Sequence, residues 1–182
     1  PYALGSAVTD AAAIVQTFFP GEEGTRAIAR VLAGDVNPSG RLPVSVPATP
    51  GAQPSTYLAA KLARKNEVSN IDPTAAFPFG SGIGYTAFEW SDLDVSADEV
   101  PTDGAVRLSL QVRNTGERAG TEIVQLYLHD PVASVVRPVQ RLLGFTRVPL
   151  AAGETASVTV EVPADLASFT GRAGRRIVEP GE

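Results

Sequence analysis

Apolar residues recur with two different periods along the chain. Near its beginning, four of them fall at helical spacing, i, i+3, i+4 and i+7: Ala11, Ile14, Val15 and Phe18. They predict a helix that ends at Pro20-Gly21. A second helix with Gly34 at its C-terminal end is predicted from another apolar set: Ala27, Ile28, Val31 and Leu32. RLPVSVP then predicts a short strand. Because two helices and one strand cannot bury their apolar faces alone, residues 1–47 are interpreted as the C-terminal remnant of an α/β-sandwich domain.

From Thr86 onward, apolar and polar residues alternate, which is the period of a β-strand. Three alternating runs are separated by turn sequences that include NTG and AAGE: residues 106–112, 124–128 and 158–162. Short strands without a long helix are typical of an antiparallel β-sandwich of the immunoglobulin or fibronectin III type. The sequence contains no cysteine, which favours the fibronectin-like version. We therefore predict a mainly β fold, with residues 48–84 as a linker and residues 85–182 as a fibronectin-III-like sandwich.

Composition and charge narrow the possible functions. The 182 residues are 43% hydrophobic and 19% charged, as in an ordinary globular protein. The formal net charge of −5 argues against nucleic acid or an anionic membrane as a partner. No apolar run reaches the roughly 18 residues of a membrane span. Without cysteine there is neither a disulfide framework nor a thiolate metal site, and we predict no cofactor and no metal. Both a cytoplasmic and a secreted location are compatible with the sequence.

Several long motifs resemble glycoside hydrolase family 3. PGEEGTRAIARVLAGDVNPSGRLPVSVP is similar to the closing segment of that family's α/β-sandwich domain. FPFGSGIGYTAFEW is similar to the motif that leads into the family's fibronectin-III-like domain, with Ile83-Gly84 in place of the usual Leu-Ser. VRNTGERAGTEIVQLYLHDP and RPVQRLLGFTRVPLAAGE match that last domain. The resemblance implies the C-terminal part of a β-glucosidase or β-xylosidase, with the N-terminal barrel and most of the α/β domain upstream.

The resemblance also implies where the chemistry lies. Family members retain the anomeric configuration, with an aspartate nucleophile on the barrel and a glutamate acid/base in the second domain. Two carboxyl groups about 5–5.5 Å apart serve such a mechanism. The motif of the nucleophile is not in this sequence, so we predict no catalytic residue here and expect the chain alone to be inactive. The substrate of the parent enzyme is expected to be a β-linked glycoside or oligosaccharide.

Two pairs of polar residues have a catalytic and a structural interpretation. Glu22 and Glu23 are adjacent carboxylates, but neighbouring side chains point in different directions, and acidic residues before a helix stabilise the positive end of its dipole. His129-Asp130 contains the only histidine. No nucleophile pattern accompanies it, so we interpret it as a turn pair before Pro131.

Three further sets have alternative interpretations. The glycines of GSGIG are spaced as in a phosphate loop: Gly80, Gly82 and Gly84. Because β-like sequence follows them, we predict a tight turn with backbone packed on backbone. A basic cluster is interpreted as a solvated loop, with an acidic surface on the missing domains as the alternative: Arg172, Arg175 and Arg176. Five aromatic residues are interpreted as apolar contacts between the sandwich and the α/β domain, with a sugar-stacking platform as the alternative: Phe77, Phe79, Tyr85, Phe88 and Trp90.

Two functions are compatible with these patterns. The first is a non-catalytic part of a glycoside hydrolase, with the missing N-terminal barrel and α/β domains as its partners. The alternative is a free-standing fibronectin-like module for carbohydrate binding or adhesion. Such a module would not need the two helices and the strand of residues 1–47, which lack the rest of their sheet. In the family, a segment like RRIVEPGE precedes one more strand. We therefore expect the edge left at this end of the sandwich to favour self-association.

Overall fold

The structure is a computed structural model, and it describes residues 2–52, 56–61, 65, 67–68, 70 and 72–181. The chain forms two compact units, which comprise Pro1–Tyr57 with Leu62–Tyr85 and Leu58–Lys61 with Thr86–Glu182. None of the helices in the described ranges is both long enough and apolar enough to cross a membrane. The domain boundaries at residues 47/48 and 84/85 stay predictions.

The first unit contains little regular structure. Its elements are the helices α1 (Ala7–Asp10) and α2 (Gly24–Leu32), the short strands β1 (Val46–Pro47) and β2 (Ala75–Phe77), and a 3₁₀ turn (Pro50–Ala52). β1 and β2 pair antiparallel, with Val46 opposite Phe77. Ser45, Val46 and Pro47 are buried, so the end of the predicted strand is the best packed part of RLPVSVP.

The predicted helix over residues 11–18 is wrong. α1 ends at Asp10, and Ala11 already has extended dihedral angles (φ −81°, ψ 134°). No helix is assigned to residues 11–18, and Phe18 has a positive φ of 52°. A short continuous apolar run with β-branched Ile14 and Val15 suits an extended segment as well as a helix, and its spacing does not distinguish the two.

The second predicted helix is confirmed as α2, and it ends as its sequence indicates. Gly34 lies just beyond the helix with φ 81°. The Gly34 N–H donates to the Val31 carbonyl at 3.0 Å, and the Asp35 N–H donates to the Arg30 carbonyl at 2.9 Å. These two bonds are the pair that a left-handed glycine makes possible at a helix C-terminus.

The second unit is an antiparallel β-sandwich. Its strands are β3 (Phe88–Val95), β4 (Ala105–Asn114), β5 (Gly120–Leu128), β6 (Arg141–Leu150), β7 (Thr155–Pro163), β8 (Phe169–Thr170) and β9 (Arg176–Ile177), with a 3₁₀ turn at Ala164–Ala167. One sheet has the order β3-β4-β7, a second contains β5 and β6, and β8 pairs with β9. The three predicted alternating runs are confirmed as parts of β4, β5 and β7.

The apolar core lies between the two larger sheets. On β4 and β7, Leu110 is opposite Val158 and Val112 is opposite Ala156, so these side chains share one face. The buried cluster combines that face with residues of β5 and β6: Leu110, Val112, Val124, Val148, Leu150 and Val158. The period of two therefore identified the buried face correctly.

A buried asparagine joins several turns of the sandwich. Asn114, the first residue of NTG, is 0% exposed. Its Oδ1 accepts hydrogen bonds from the Thr86 hydroxyl at 2.6 Å and the Gly116 N–H at 3.1 Å. Its Nδ2 donates to the carbonyls of Arg118 at 2.7 Å and Leu150 at 3.3 Å. The amide thus connects the segment before β3, the β4–β5 turn and the end of β6.

Candidate functional site

Two motifs of the first unit, NPSGRLP (37–43) and FGSGIGY (79–85), pack directly on each other. The Gly80 N–H donates to the Leu42 carbonyl and the Leu42 N–H donates to the Ser81 carbonyl, both at 2.8 Å. The Tyr85 N–H donates to Asn37 Oδ1 at 2.7 Å. We call this paired arrangement the clasp. Its hydrogen bonds join the two motifs to each other, which gives the glycine-rich segment a structural role.

The glycines of the clasp are needed for close approach. A Cβ atom on Gly82 would lie 2.5 Å from the Gly40 carbonyl oxygen, and one on Gly84 would lie 2.7 Å from Asn37 Oδ1. Gly80 has φ 81°, in the region that favours glycine. The geometry agrees with the predicted backbone-on-backbone turn and leaves no basis for a phosphate loop at GSGIG.

The predicted aromatic set is divided between the two units. In the first unit, the Phe79 ring stacks on Tyr57 with centroids 3.9 Å and planes 8° apart. The Tyr85 hydroxyl donates to the Val31 carbonyl at 2.7 Å. In the second unit, Phe88 packs against the core and Trp90 is 48% exposed. Phe79 is thus engaged by another ring, and the role of the set as contacts between domains stays a prediction.

The two adjacent carboxylates lie on the surface of the first unit. Glu22 and Glu23 are both exposed in the turn before α2, and Glu23 is the N-cap residue of that helix. Neither residue lies in a buried pocket, and the Glu23 side chain makes no capping hydrogen bond. Their position supports an electrostatic contribution to the start of α2 and provides no confined site for acid–base chemistry.

His129 makes a loop contact at the end of β5. Its Nδ1 lies within hydrogen-bond distance of the Val139 carbonyl, and because a carbonyl oxygen can only accept, Nδ1 is the donor. The Val139 N–H in turn donates to the Ala59 carbonyl at 2.9 Å, and the Lys61 ammonium group donates to the Pro131 carbonyl. The histidine therefore belongs to a network that fixes the β5–β6 loop, in agreement with the predicted turn pair.

All three arginines of the basic cluster are exposed, and two of them bind other residues of the second unit. Arg172 Nε donates to the Ser134 carbonyl at 3.1 Å. Arg176 forms an ion pair with Asp165 at 3.0 Å and donates from Nε to the Ser168 hydroxyl at 2.6 Å. The prediction of a solvated loop is therefore incomplete, because the side chains of Arg172 and Arg176 hold the C-terminal segment to neighbouring loops.

Two residues of the same region were not singled out from the sequence. The guanidinium of Arg137 lies over the Phe169 ring, 4.3 Å from its centroid, and donates to the Ala167 carbonyl at 3.3 Å. Glu179 accepts a hydrogen bond from the Ser134 N–H at 2.9 Å. Its pKa is held below the usual value mainly by the hydrogen bonds from Ser134, and then by the charges of Arg137 and Arg172.

An apolar cleft of about 660 Å³ opens between the two sheets of the sandwich. Most of its lining is aliphatic: Leu108, Leu110, Val124, Leu126, Val160 and Val162. Asp92 and Glu161 also line it. The volume of the cleft falls in the range of small-molecule pockets. A sugar ligand needs many hydrogen-bonding groups around it, and this mainly aliphatic lining suits apolar groups better. In the described part of the chain, no three His, Cys, Asp or Glu residues are grouped to hold a metal ion.

The family assignment rests on matches to two domain families. Residues 1–85 match the glycosyl hydrolase family 3 C-terminal domain, and residues 122–182 match a fibronectin type III-like domain. The chain belongs to glycoside hydrolase family 3. It corresponds to the C-terminal region of that family, which confirms the resemblance seen in the motifs.

Similar proteins are glycosidases. A periplasmic β-glucosidase of Salmonella typhimurium is 36% identical over 192 residues, covering 100% of this chain and 25% of the relative. A putative β-xylosidase of Formosa agariphila is 34% identical, covering 99% of this chain and 24% of the relative. A solved β-glucosidase from Erythrobacter marinus has a TM-score of 0.82 and 39% identity over 90% of this chain and 22% of its own.

These comparisons support the mainly β, sandwich-containing fold and a family of glycoside hydrolases. The chain spans about a quarter of the length of the curated relatives it matches, so those relatives contain further domains. Nothing in the comparisons supports the alternative of a free-standing binding or adhesion module.

Proposed function

We propose that this family 3 chain is the non-catalytic C-terminal part of a retaining glycoside hydrolase that cleaves O-glycosyl bonds of β-glucosides or β-xylosides. The observation that carries the proposal is the similarity over nearly the entire chain to a β-glucosidase and a β-xylosidase, at 36% and 34% identity. The substrate of the parent enzyme is accordingly a β-linked glycoside or oligosaccharide.

The placement of the carboxylates supports a non-catalytic role. A retaining site needs two carboxyl groups about 5–5.5 Å apart, with one of them in surroundings that raise its pKa. Glu22 and Glu23 are exposed on a turn, and the only histidine is engaged in a loop contact. The catalytic carboxylates therefore belong to the other domains of the parent enzyme.

The exposed apolar residues of the first unit support a partner domain in the same polypeptide. Phe19 is 102% exposed, and other large apolar side chains of this unit are also exposed: Ile14, Val15, Phe18 and Leu32. At about 25 cal/mol per Å² of apolar surface, covering this set is strongly favourable. The upstream α/β and barrel domains of the parent enzyme are the proposed cover.

The proposed organisation places the α/β remnant at residues 1–47, the linker at 48–84 and the sandwich at 85–182. The separation of the two compact units after Tyr85 supports the start of the sandwich. The clasp ties the end of the proposed linker to residues 37–42, so this part of the linker follows a fixed path.

Activity assays test the proposal. The purified 182-residue chain is expected to release no nitrophenol from aryl β-glucosides or β-xylosides, whereas the full-length enzyme releases it. Glu22→Gln and Glu23→Gln in the full-length enzyme are matched controls, and they are expected to leave kcat unchanged. Turnover by the isolated chain that either substitution abolishes would overturn the proposal.

A further inference from the structure

The β5–β6 loop, residues 129–140, is held in place by other segments of the second unit. At its middle, the Ser134 N–H donates to the Glu179 carboxylate at 2.9 Å, and the Ser134 carbonyl accepts from Arg172 Nε at 3.1 Å. Nearer its two ends, the loop also binds residues 59–61 through backbone and side-chain hydrogen bonds. Because contacts from both sides of the sequence fix its backbone, the loop presents a defined surface although it belongs to no sheet.

This surface contains exposed apolar side chains. Exposure alternates along residues 131–136, where three positions are exposed and the positions between them are partly buried. The exposed ones are Val132, Ser134 and Val136. Val132 is 80% exposed and Val136 is 85% exposed, although the backbone at Ser134 is bound on both its N–H and its carbonyl. Binding residues are often found on loops that a rigid scaffold positions in this way.

The composition of the loop indicates the chemistry of its partner. Residues 131–136 have the sequence PVASVV, which contains one hydroxyl and no charged side chain. A sugar is recognised through several hydrogen-bonding groups, and a charged surface through groups of opposite charge. Neither is provided by this run of residues, so it fits an apolar protein surface.

The small size of this surface favours a partner in the same polypeptide. A stable interface between separate proteins buries roughly 1,200 Å² or more, and two valine side chains supply only a small part of that area. A domain linked through the polypeptide is present at a high effective concentration, so a small contact is sufficient to hold it. This chain covers 25% and 24% of two curated relatives, which therefore contain such further domains.

We propose that Val132 and Val136 dock against an apolar surface on another domain of the parent polypeptide. The inference rests on the proposed function for the existence of that parent enzyme, and it adds a docking contact made by the second unit. The hydrogen bonds of Ser134 with Glu179 and Arg172 hold the loop in its docking conformation.

Thiol labelling tests the proposal, because the 182-residue sequence contains no cysteine. Val132→Cys and Val136→Cys each place one thiol on the loop. Ala152→Cys is the matched control, because this exposed residue lies in the β6–β7 turn, at the opposite end of β6. In the 182-residue chain, all three thiols are expected to react with a maleimide at similar rates at every protein concentration. Trp90 fluorescence checks that each variant is folded.

The same substitutions in the full-length enzyme give the decisive comparison. The two loop thiols are expected to react about tenfold more slowly or less, because a covered residue reacts only when its contact opens. The thiol introduced by Ala152→Cys is expected to keep its rate. Mass spectrometry locates the label at each introduced position. Loop thiols that react equally fast in both proteins overturn the proposal, as does protection that appears in the 182-residue chain when its concentration rises.

Photo-cross-linking identifies what covers the loop. A benzophenone amino acid in place of Val136 in the full-length enzyme is expected to cross-link, within one chain, to a peptide outside the fibronectin-like domain. A cross-link to the sandwich itself, or between two chains, overturns the proposal. Glycosidase assays separate this proposal from the proposed function. An active enzyme with freely reacting loop thiols refutes the docking alone, whereas protected loop thiols in a full-length protein that cleaves no β-glycoside refute the proposed function alone.

Discussion

Replacing Asn114 with alanine removes the polar centre of the sandwich. The substitution deletes four side-chain hydrogen bonds, two accepted by Oδ1 and two donated by Nδ2. A hydrogen bond contributes about 1 kcal/mol net, and more where a buried partner is left unsatisfied. The Leu150 carbonyl is such a partner. The free energy of unfolding of the second unit is therefore expected to fall by about 3–4 kcal/mol, a large part of the 5–15 kcal/mol typical of a domain.

The assay is urea denaturation followed by tryptophan fluorescence. Trp90 is the only tryptophan and lies in β3, so its signal reports on the second unit. With an m-value of about 1–3 kcal/mol/M, the midpoint is expected to fall by about 1–4 M without a change in slope. Gln140→Ala removes an exposed amide and is expected to change stability by less than about 0.5 kcal/mol. A loss below about 1 kcal/mol for Asn114→Ala would refute the role assigned to its hydrogen bonds.

Three further predictions concern the clasp, the C-terminal segment and α2. Gly82→Ala is expected to destabilise the clasp by about 1–3 kcal/mol, measured by hydrogen exchange at the Gly80 amide, whereas Gly40→Ala, whose Cβ meets nothing within 4 Å, is not. NMR titration is expected to show Glu179 below the usual value of 4.5, and Ser134→Ala is expected to raise it. Because the pKa of Glu179 is lower in the folded state, its ionised carboxylate stabilises the folded state above the unfolded-state pKa. This stabilisation is lost as the pH falls through the folded-state pKa. A Glu179 titration midpoint at or above 4.5 contradicts this prediction. The α2 amides are expected to exchange faster than those of β4 in the 182-residue monomer, and equal protection would show that α2 needs no further domain.

The elements that the sequence predicted correctly are those with one buried face. In β4, β5 and β7, apolar and polar residues alternate regularly. A register shift by one residue would turn their valines and leucines toward solvent, so the pattern specifies which face is buried. β3 and β6 were not predicted as separate strands. Asp92, with φ 53°, interrupts the alternation of β3. Gly144 and Pro149 occur inside β6, where both residues are usually taken as strand breakers.

Contacts between distant segments explain the remaining differences. In the segment 11–18, the spacing of the apolar residues is compatible with both a helix and an extended chain, so the sequence pattern alone does not distinguish the two conformations. The turn at GSGIG was predicted from its glycines, but its partner at Asn37 and Leu42 was not, because no local period relates the two. The stacking of Arg137 on Phe169 likewise joins residues 32 positions apart (169 − 137).

Covalent labelling of the full-length enzyme tests the central claim most directly. A retaining glycosidase forms a covalent glycosyl-enzyme, and a 2-deoxy-2-fluoro glycoside traps this intermediate on the nucleophile. Digestion and mass spectrometry are expected to locate the label on a carboxylate N-terminal to the segment described here, with residues 1–182 unmodified. A label on any carboxylate within those 182 residues would contradict the assignment of this chain as the non-catalytic part of the enzyme.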